Sequence, residues 1–251
     1  MSNRTEGTDR GRTDRDRTEI SDPRIVVLQN ITNRKSIYEN DHVVEELFIY
    51  GLSKGSVFII ADCPNLKRVS FIEPQETKDH NVIINLERLP KLQELLFPVD
   101  RHYVRGLLLR RIERLESLGS LVVSDQISIQ STSLFSLMNV QCNTLMIQNS
   151  KIMHIMDIKT KNFICNELLC GQFQNIKTET LYYTLGGSLI IPKNLFESVT
   201  GIKKINGSPV NDFIDAYNVR YNMININDLN GDIIRYISAY IKPTVFNQFV
   251  P

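Results

Sequence analysis

The chain predicts an α/β repeat solenoid: a parallel sheet of short strands, 3₁₀ or short-helix returns between them, and a carboxy-terminal helix. Three observations carry that prediction. Seven segments share the pattern apolar-x-x-apolar-x-apolar: VEELFI, LKRVSF, LQELLF, LGSLVV, CNTLMI, CNELLC and GGSLII. They start at Val44, Leu66, Leu92, Leu118, Cys142, Cys165 and Gly186, at intervals of 21 to 26 residues. Self-similarity at such a period marks stacked units that bury a core only against their neighbours. The stretches between segments hold no more than 20 residues, too few for a long helix with two loops in most repeats.

In chain order, residues 1–20 alternate five arginines with five acids and hold almost nothing apolar. They predict a disordered polar leader, because there is no surface to bury against the entropy of ordering. Residues 23–28, PRIVVL, read as a first strand or amino-terminal cap of a solenoid spanning 21–207. In its segments the fourth and sixth positions are apolar: Leu47 and Ile49, Val69 and Phe71, Leu95 and Phe97, Leu121 and Val123, Leu145 and Ile147, Leu168 and Cys170, Leu189 and Ile191. Residues two apart in a strand share a face, so these pairs form the inner wall.

Residues 56–60 (SVFII) and 81–84 (NVII) read as short second strands. Residues 104–118, VRGLLLRRIERLESL, read as a helical return, since Leu108, Ile112 and Leu115 follow a period near 3.6. The basic cluster Arg101, Arg105, Arg110, Arg111 and Arg114 then falls on or beside its solvated face. After Pro192 the pattern fades, and 208–251 form a carboxy-terminal helical segment. In 228–241, DLNGDIIRYISAYI, the side chains of Ile233, Ile234, Ile237, Tyr240 and Ile241 share one helix face. Asp228 or Asn230 caps its start, Asp232 suits the positive end of the dipole, and Pro243 stops it.

The strand pattern resembles the leucine-rich repeat, Leu-x-x-Leu-x-Leu-x-x-Asn/Cys, over residues 44–192. The ninth position departs from the family, with Leu52, Pro74, Asp100, Gln126, Ser150 and Phe173 before a final Asn194. An irregular stack is therefore expected rather than a regular horseshoe. The resemblance implies that the fifth position of each segment faces a partner: Phe48, Ser70, Leu96, Val122, Met146, Leu169 and Ile190. All but Ser70 are apolar, and strands about 4.8 Å apart would join them into one stripe. Such a stripe marks a contact surface for a target protein, or a face that another part of the chain covers.

The carboxy-terminal element resembles the opening of the F-box, Leu-Pro-x-Asp/Glu-Leu/Ile-Leu/Ile-x-x-Ile-x-x-Tyr-Leu, from Leu229 through Asp232, Ile233, Ile234, Ile237 and Tyr240 to Ile241. Asn230 stands where the family has proline, and the ten residues after Ile241 leave no room for the later F-box helices. Truncated segments of this kind, behind a repeat domain, are known from proteins of large DNA viruses. The resemblance implies that Leu229, Ile233, Ile234, Ile237 and Ile241 dock on the small adaptor subunit of a cullin–RING ubiquitin ligase. The alternative is a structural or scaffold repeat protein whose end helix only caps the solenoid.

Composition bounds the rest. With 42% apolar and 23% charged residues and a net charge of +1, the chain can build its own core and carries no field that would attract nucleic acid or an anionic membrane. It has no signal core and no apolar run of membrane-spanning length, so a cytoplasmic protein is expected. Cys63, Cys142, Cys165 and Cys170 read as reduced, mostly core residues, and their spacing does not suit a metal site. Neither a cofactor nor catalysis is expected: the four histidines are scattered, and no phosphate-binding, dinucleotide or hydrolase motif occurs.

Overall fold

A computed structural model of the chain describes residues 22–72, 81–98, 104–186 and 191–211. The chain winds into a parallel β-solenoid of about 7 turns. The first four turns each contribute two strands. These are β1 (Ile25–Leu28) and β2 (Lys35–Glu39), β3 (Glu46–Tyr50) and β4 (Val57–Ala61), β5 (Arg68–Ile72) and β6 (Val82–Glu87), then β7 (Glu94–Leu96) and β8 (Val104–Arg110). Thereafter the chain stays extended and bends only at corners, through β9 (Leu115–Gln130), the 45-residue β10 (Ser133–Lys177) and β11 (Thr180–Thr184). The last elements are α1 (Lys193–Ser198), β12 (Val199–Thr200), β13 (Lys204–Ile205) and β14 (Ser208–Pro209).

Two sheets result. One has the order β1-β3-β5-β7; the other runs β14-β13-β11-β10-β9-β8-β6-β4-β2, with β12 beside β10. All pairings are parallel except the terminal β13–β14 hairpin. The second strands expected at 56–60 and 81–84 are β4 and β6, and β1 lies within the expected lead-in.

The core is a set of columns along the solenoid axis. Leu47, Val69 and Leu95 stack across three turns, as expected, and all are buried. Further on, Leu115 lies beside Leu134, Leu118 beside Leu137, Leu121 beside Val140, Ile127 beside Leu145 and Ile129 beside Ile147, each no more than 4% exposed. Inward positions follow one another at steps of two along a strand and three around a corner, as in Leu134, Leu137, Val140, Cys142, Leu145 and Ile147.

Corners are set by residues in the left-handed region. One corner carries Asn40, Asp62, Arg88, Arg111, Ser131, Asn149 and Glu167, with φ between 46° and 58°, and ends at Gly186. The amide of each of the first five donates to the end of the next strand: Asn40 to Ala61 O, Asp62 to Glu87 O, Arg88 to Arg110 O, Arg111 to Gln130 O and Ser131 to Gln148 O. A second corner carries Ser120, Asn139, Asp157 and Asn175. Asparagine and aspartate tolerate this conformation better than other non-glycine residues, which explains their recurrence.

Three expectations are corrected. Residues 104–118 form no helix but β8, a corner and the start of β9. Buried Leu109, Ile112, Leu115, Leu118 and Leu121 are three apart, and consecutive corner steps of three imitate a helical period. Next, the α/β class gives way to a β-solenoid: among the described residues the returns are strands, and helix is confined to the 6-residue α1 and to residues 210–211. Finally, the segment beginning at Leu118 does not stack on the one beginning at Cys142. Leu121 pairs with Val140 and Ile127 with Leu145, because the turn shortens to 19 residues (140 − 121) and then 18 (145 − 127). The leader 1–20 and the helix expected over 228–241 lie outside the described residues.

Candidate binding surface

The fifth-position column does not form one stripe. Phe48, Ser70 and Leu96 are neighbours on the four-stranded sheet; Leu96 is 51% exposed, but Ser70 between them is buried. Val122 pairs with Gln141 and Met146 with Ser128, so these two apolar residues stand beside polar ones on their adjoining strands. Leu169 is 59% exposed and lies farther along the axis. Ile190 and the helix-face residues Leu229, Ile233, Ile234, Ile237 and Ile241 lie outside the described residues.

Leu169 borders an apolar groove of about 320 Å³ on the later turns, lined chiefly by Met153, Leu168, Cys170, Phe173, Tyr183 and Leu185. Its shape follows from the 18-residue turn. The amide of Lys151 donates to Thr132 O at 3.0 Å, which fixes the register that places Phe135, Met153 and Gly171 at one outward position on successive turns. Phe135 is 59% exposed and Met153 41%. A Cβ at Gly171 would lie 2.9 Å from the Met153 carbonyl oxygen and 3.5 Å from its terminal methyl, so the missing side chain lets Met153 close over the next turn. His154 meets the Phe135 ring edge-on, centroids 5.2 Å apart.

Lys151 is the one charged side chain lining the groove. Burial pushes the Cys170 thiol up to about 11 and, reinforced by nearby thiols, the Tyr183 phenol up to about 12, so both are neutral near pH 7. Burial also raises Cys63 and Cys142 to about 11, and Cys165 well above the ordinary thiol value. All four cysteines are free, and thiols held protonated are poor nucleophiles and poor metal ligands. Sequence reasoning passed over Phe135 and Met153; their shared spacing of one 18-residue turn was the available signal.

A second groove, about 440 Å³, follows the first corner and is lined by Asn40, His42, Asp62, Pro64, Arg88, Pro90, Arg111 and Glu113. Two residues after each left-handed position the side chain again turns outward, which produces the paired lining. Arg88 binds Asp62 through Nε and Nη2, both at 2.5 Å, and also contacts Glu87, which lies 3.5 Å from Arg110. The Arg88 guanidinium holds the Asp62 carboxyl below its usual range, and Asp62 raises Arg88 in return. Acidic and basic side chains both line this corner, so it has no single sign to select a ligand. The arginines expected on one helix face stand on strands and a corner instead, with Arg105 3.9 Å from Asp125; Arg101 lies outside the described residues.

Among the described residues no group of three or more His, Cys, Asp and Glu is placed to hold a metal ion, and no helix is long and apolar enough to cross a membrane. Comparison of the chain with protein-family models, curated proteins and solved structures finds no match. The fold therefore defines the protein at the level of a parallel β-solenoid.

Proposed function

We propose that the protein is a non-catalytic, cytoplasmic interaction module: the solenoid holds a target protein, and the carboxy-terminal segment recruits the adaptor subunit of a cullin–RING ubiquitin ligase. The observation that carries the first half is the largely apolar groove, with Lys151 as its one charged lining residue, flanked by exposed Phe135, Met153 and Leu169. Apolar side chains gathered on one face of a soluble domain are typical of protein contact surfaces. The second half rests on the F-box-like match from Leu229 to Ile241.

One structural feature favours recruitment over the reading in which the end helix only caps the solenoid. Among the described residues the carboxy-terminal edge of the larger sheet ends in the β13–β14 hairpin, which turns through Asn206 and Gly207, both at positive φ. Pro209 on its outer strand has no N–H to offer a further strand. A terminator is thus present before residue 228 is reached.

The test is co-purification of the full chain with the adaptor, beside the variant Ile234→Asp, with circular dichroism on both. Capture by the natural chain and its loss in a folded Ile234→Asp variant is the expected result, since a charge on the apolar face would meet no partner in an adaptor groove. Failure of the natural chain to bind overturns ligase recruitment. Unfolding of the variant assigns the helix to the cap.

A further inference from the structure

The two ends of the larger sheet differ. Among the described residues its carboxy-terminal end finishes in the hairpin with Pro209, whereas β2 at the amino-terminal end pairs only with β4. Among the described residues no strand covers the other edge of β2. An uncovered edge offers unpaired backbone groups to another chain.

Which groups are offered follows from alternation. The carbonyl of Arg34 accepts from Val57 N at 2.8 Å, and the amide of Asn40 donates to Ala61 O at 3.2 Å. Even-numbered residues of this strand therefore turn their backbone groups toward β4. Lys35, Ile37 and Glu39 turn theirs to the open edge. The same three side chains are the exposed ones, with Ile37 at 46%, and among the described residues neither Lys35 nor Glu39 has an ion-pair partner.

We propose that this edge pairs with the same edge of a second copy of the chain, antiparallel and centred on Ile37, to form a head-to-head dimer. The sequence Lys35-Ser36-Ile37-Tyr38-Glu39 complements itself in that register. Lys35 of one copy faces Glu39 of the other, twice by symmetry, and the two Ile37 side chains meet on the two-fold axis. Residues 35, 37 and 39 all present free N–H and C=O groups, so the three facing pairs become hydrogen-bonded pairs of the antiparallel ladder. The twist of the combined sheet continues through the junction, because the axis runs normal to the sheet. A lysine alone on an edge would repel an added strand; Lys35 opposite Glu39 selects one.

Sedimentation velocity of the full chain over a range of concentrations tests this, with charge reversals at exposed positions that leave the core untouched. The natural chain is expected to show a concentration-dependent species of twice the chain mass. Lys35→Glu alone or Glu39→Lys alone sets like charges opposite each other and should raise the dissociation constant about tenfold or more. Mixing the two single variants should restore the dimer, because Lys35→Glu chains carry acids at both positions and Glu39→Lys chains carry bases. A natural chain that stays monomeric at every concentration overturns the proposal, as expected if the leader or another protein covers the edge. A dimer indifferent to both reversals overturns it equally, by placing the interface elsewhere.

Discussion

The buried amide of Thr132 donates to Ser150 Oγ at 3.2 Å across one turn of the solenoid, and that hydroxyl lies 2.7 Å from the Gln148 carbonyl oxygen, to which it donates. Both residues are no more than 4% exposed. Thr132 repeats the arrangement one turn earlier: its Oγ1 donates to Gln130 O at 2.9 Å and accepts from Ile112 N at 3.4 Å. The corner thus carries its own hydroxyl ladder, which supplies partners to amides that the bend removes from the sheet. Ser150→Ala leaves the Thr132 amide and one Gln148 lone pair unsatisfied. A loss of about 1–3 kcal/mol in urea unfolding is expected, since the full desolvation cost of an unpaired buried group then applies. Ser150→Thr, which keeps the hydroxyl, should recover part of it.

Gly171 lines the apolar groove and stands against the Met153 backbone of the neighbouring turn. Its added Cβ would lie 2.9 Å from the Met153 carbonyl oxygen, a backbone atom that cannot swing aside. Gly171→Ala should therefore part the two turns and lower stability by about 1–3 kcal/mol. Gly119→Ala, at 3.0 Å from the Met138 carbonyl oxygen, makes the same test away from the groove. Target binding should fall in the first variant and persist in the second if the groove is the binding face.

How much of this was legible depends on the corner. Leu47, Val69 and Leu95 could be aligned because the segments starting at Val44, Leu66 and Leu92 fall on the same strand of three successive turns. In the later turns inward steps of three and two recur at several corners, as in Leu137-Val140-Cys142 and Cys142-Leu145-Ile147. The pattern then fits more than one frame, and the spacing of 24 between Leu118 and Cys142 joined different corners. The same steps disguised the strands around Ile112 as a helix. The apolar groove was harder to see, since it depends on Met153, Cys170 and Tyr183 lining one groove across turns whose 18-residue length had to be known first.

Acid should weaken the fold through its cross-turn ion pairs. Lys67 beside Glu45, Arg68 beside Glu94, Arg88 beside Asp62 and Lys203 beside Glu179 hold the four carboxyls below their ordinary values. Arg24 takes Asp22 down to about 2. A carboxyl depressed in the folded state stabilises above its unfolded pKa, and that contribution is lost as pH falls through the folded value. Melting temperature should stay level from pH 7 to about 5 and decline below the ordinary 4.5 of glutamate and 3.8 of aspartate. The decline should be shallow and salt-sensitive, because every pair is solvent-exposed. A steep loss already at pH 6 would contradict it.

Arg111 occupies the left-handed corner with φ 56°, in a column otherwise rich in asparagine and aspartate. Its neighbour in that column, Arg88, is compensated by Asp62 and Glu87, whereas Arg111 has no ion pair among the described residues. Its Cβ therefore bears the ordinary steric cost of the left-handed region, about 1–2 kcal/mol, with no charge partner to offset it. Arg111→Asn retains the amide bond to Gln130 O and relaxes that cost. The expected outcome is stabilisation by up to about 1 kcal/mol, read as a higher midpoint in urea with an unchanged slope. Arg88→Asn, made in parallel, should destabilise or change nothing, since it exchanges a similar relief for the loss of a bidentate ion pair. If Arg111→Asn also weakens binding of a partner, the strained arginine is held there for contact along the corner groove, which is where strained residues gather in functional sites.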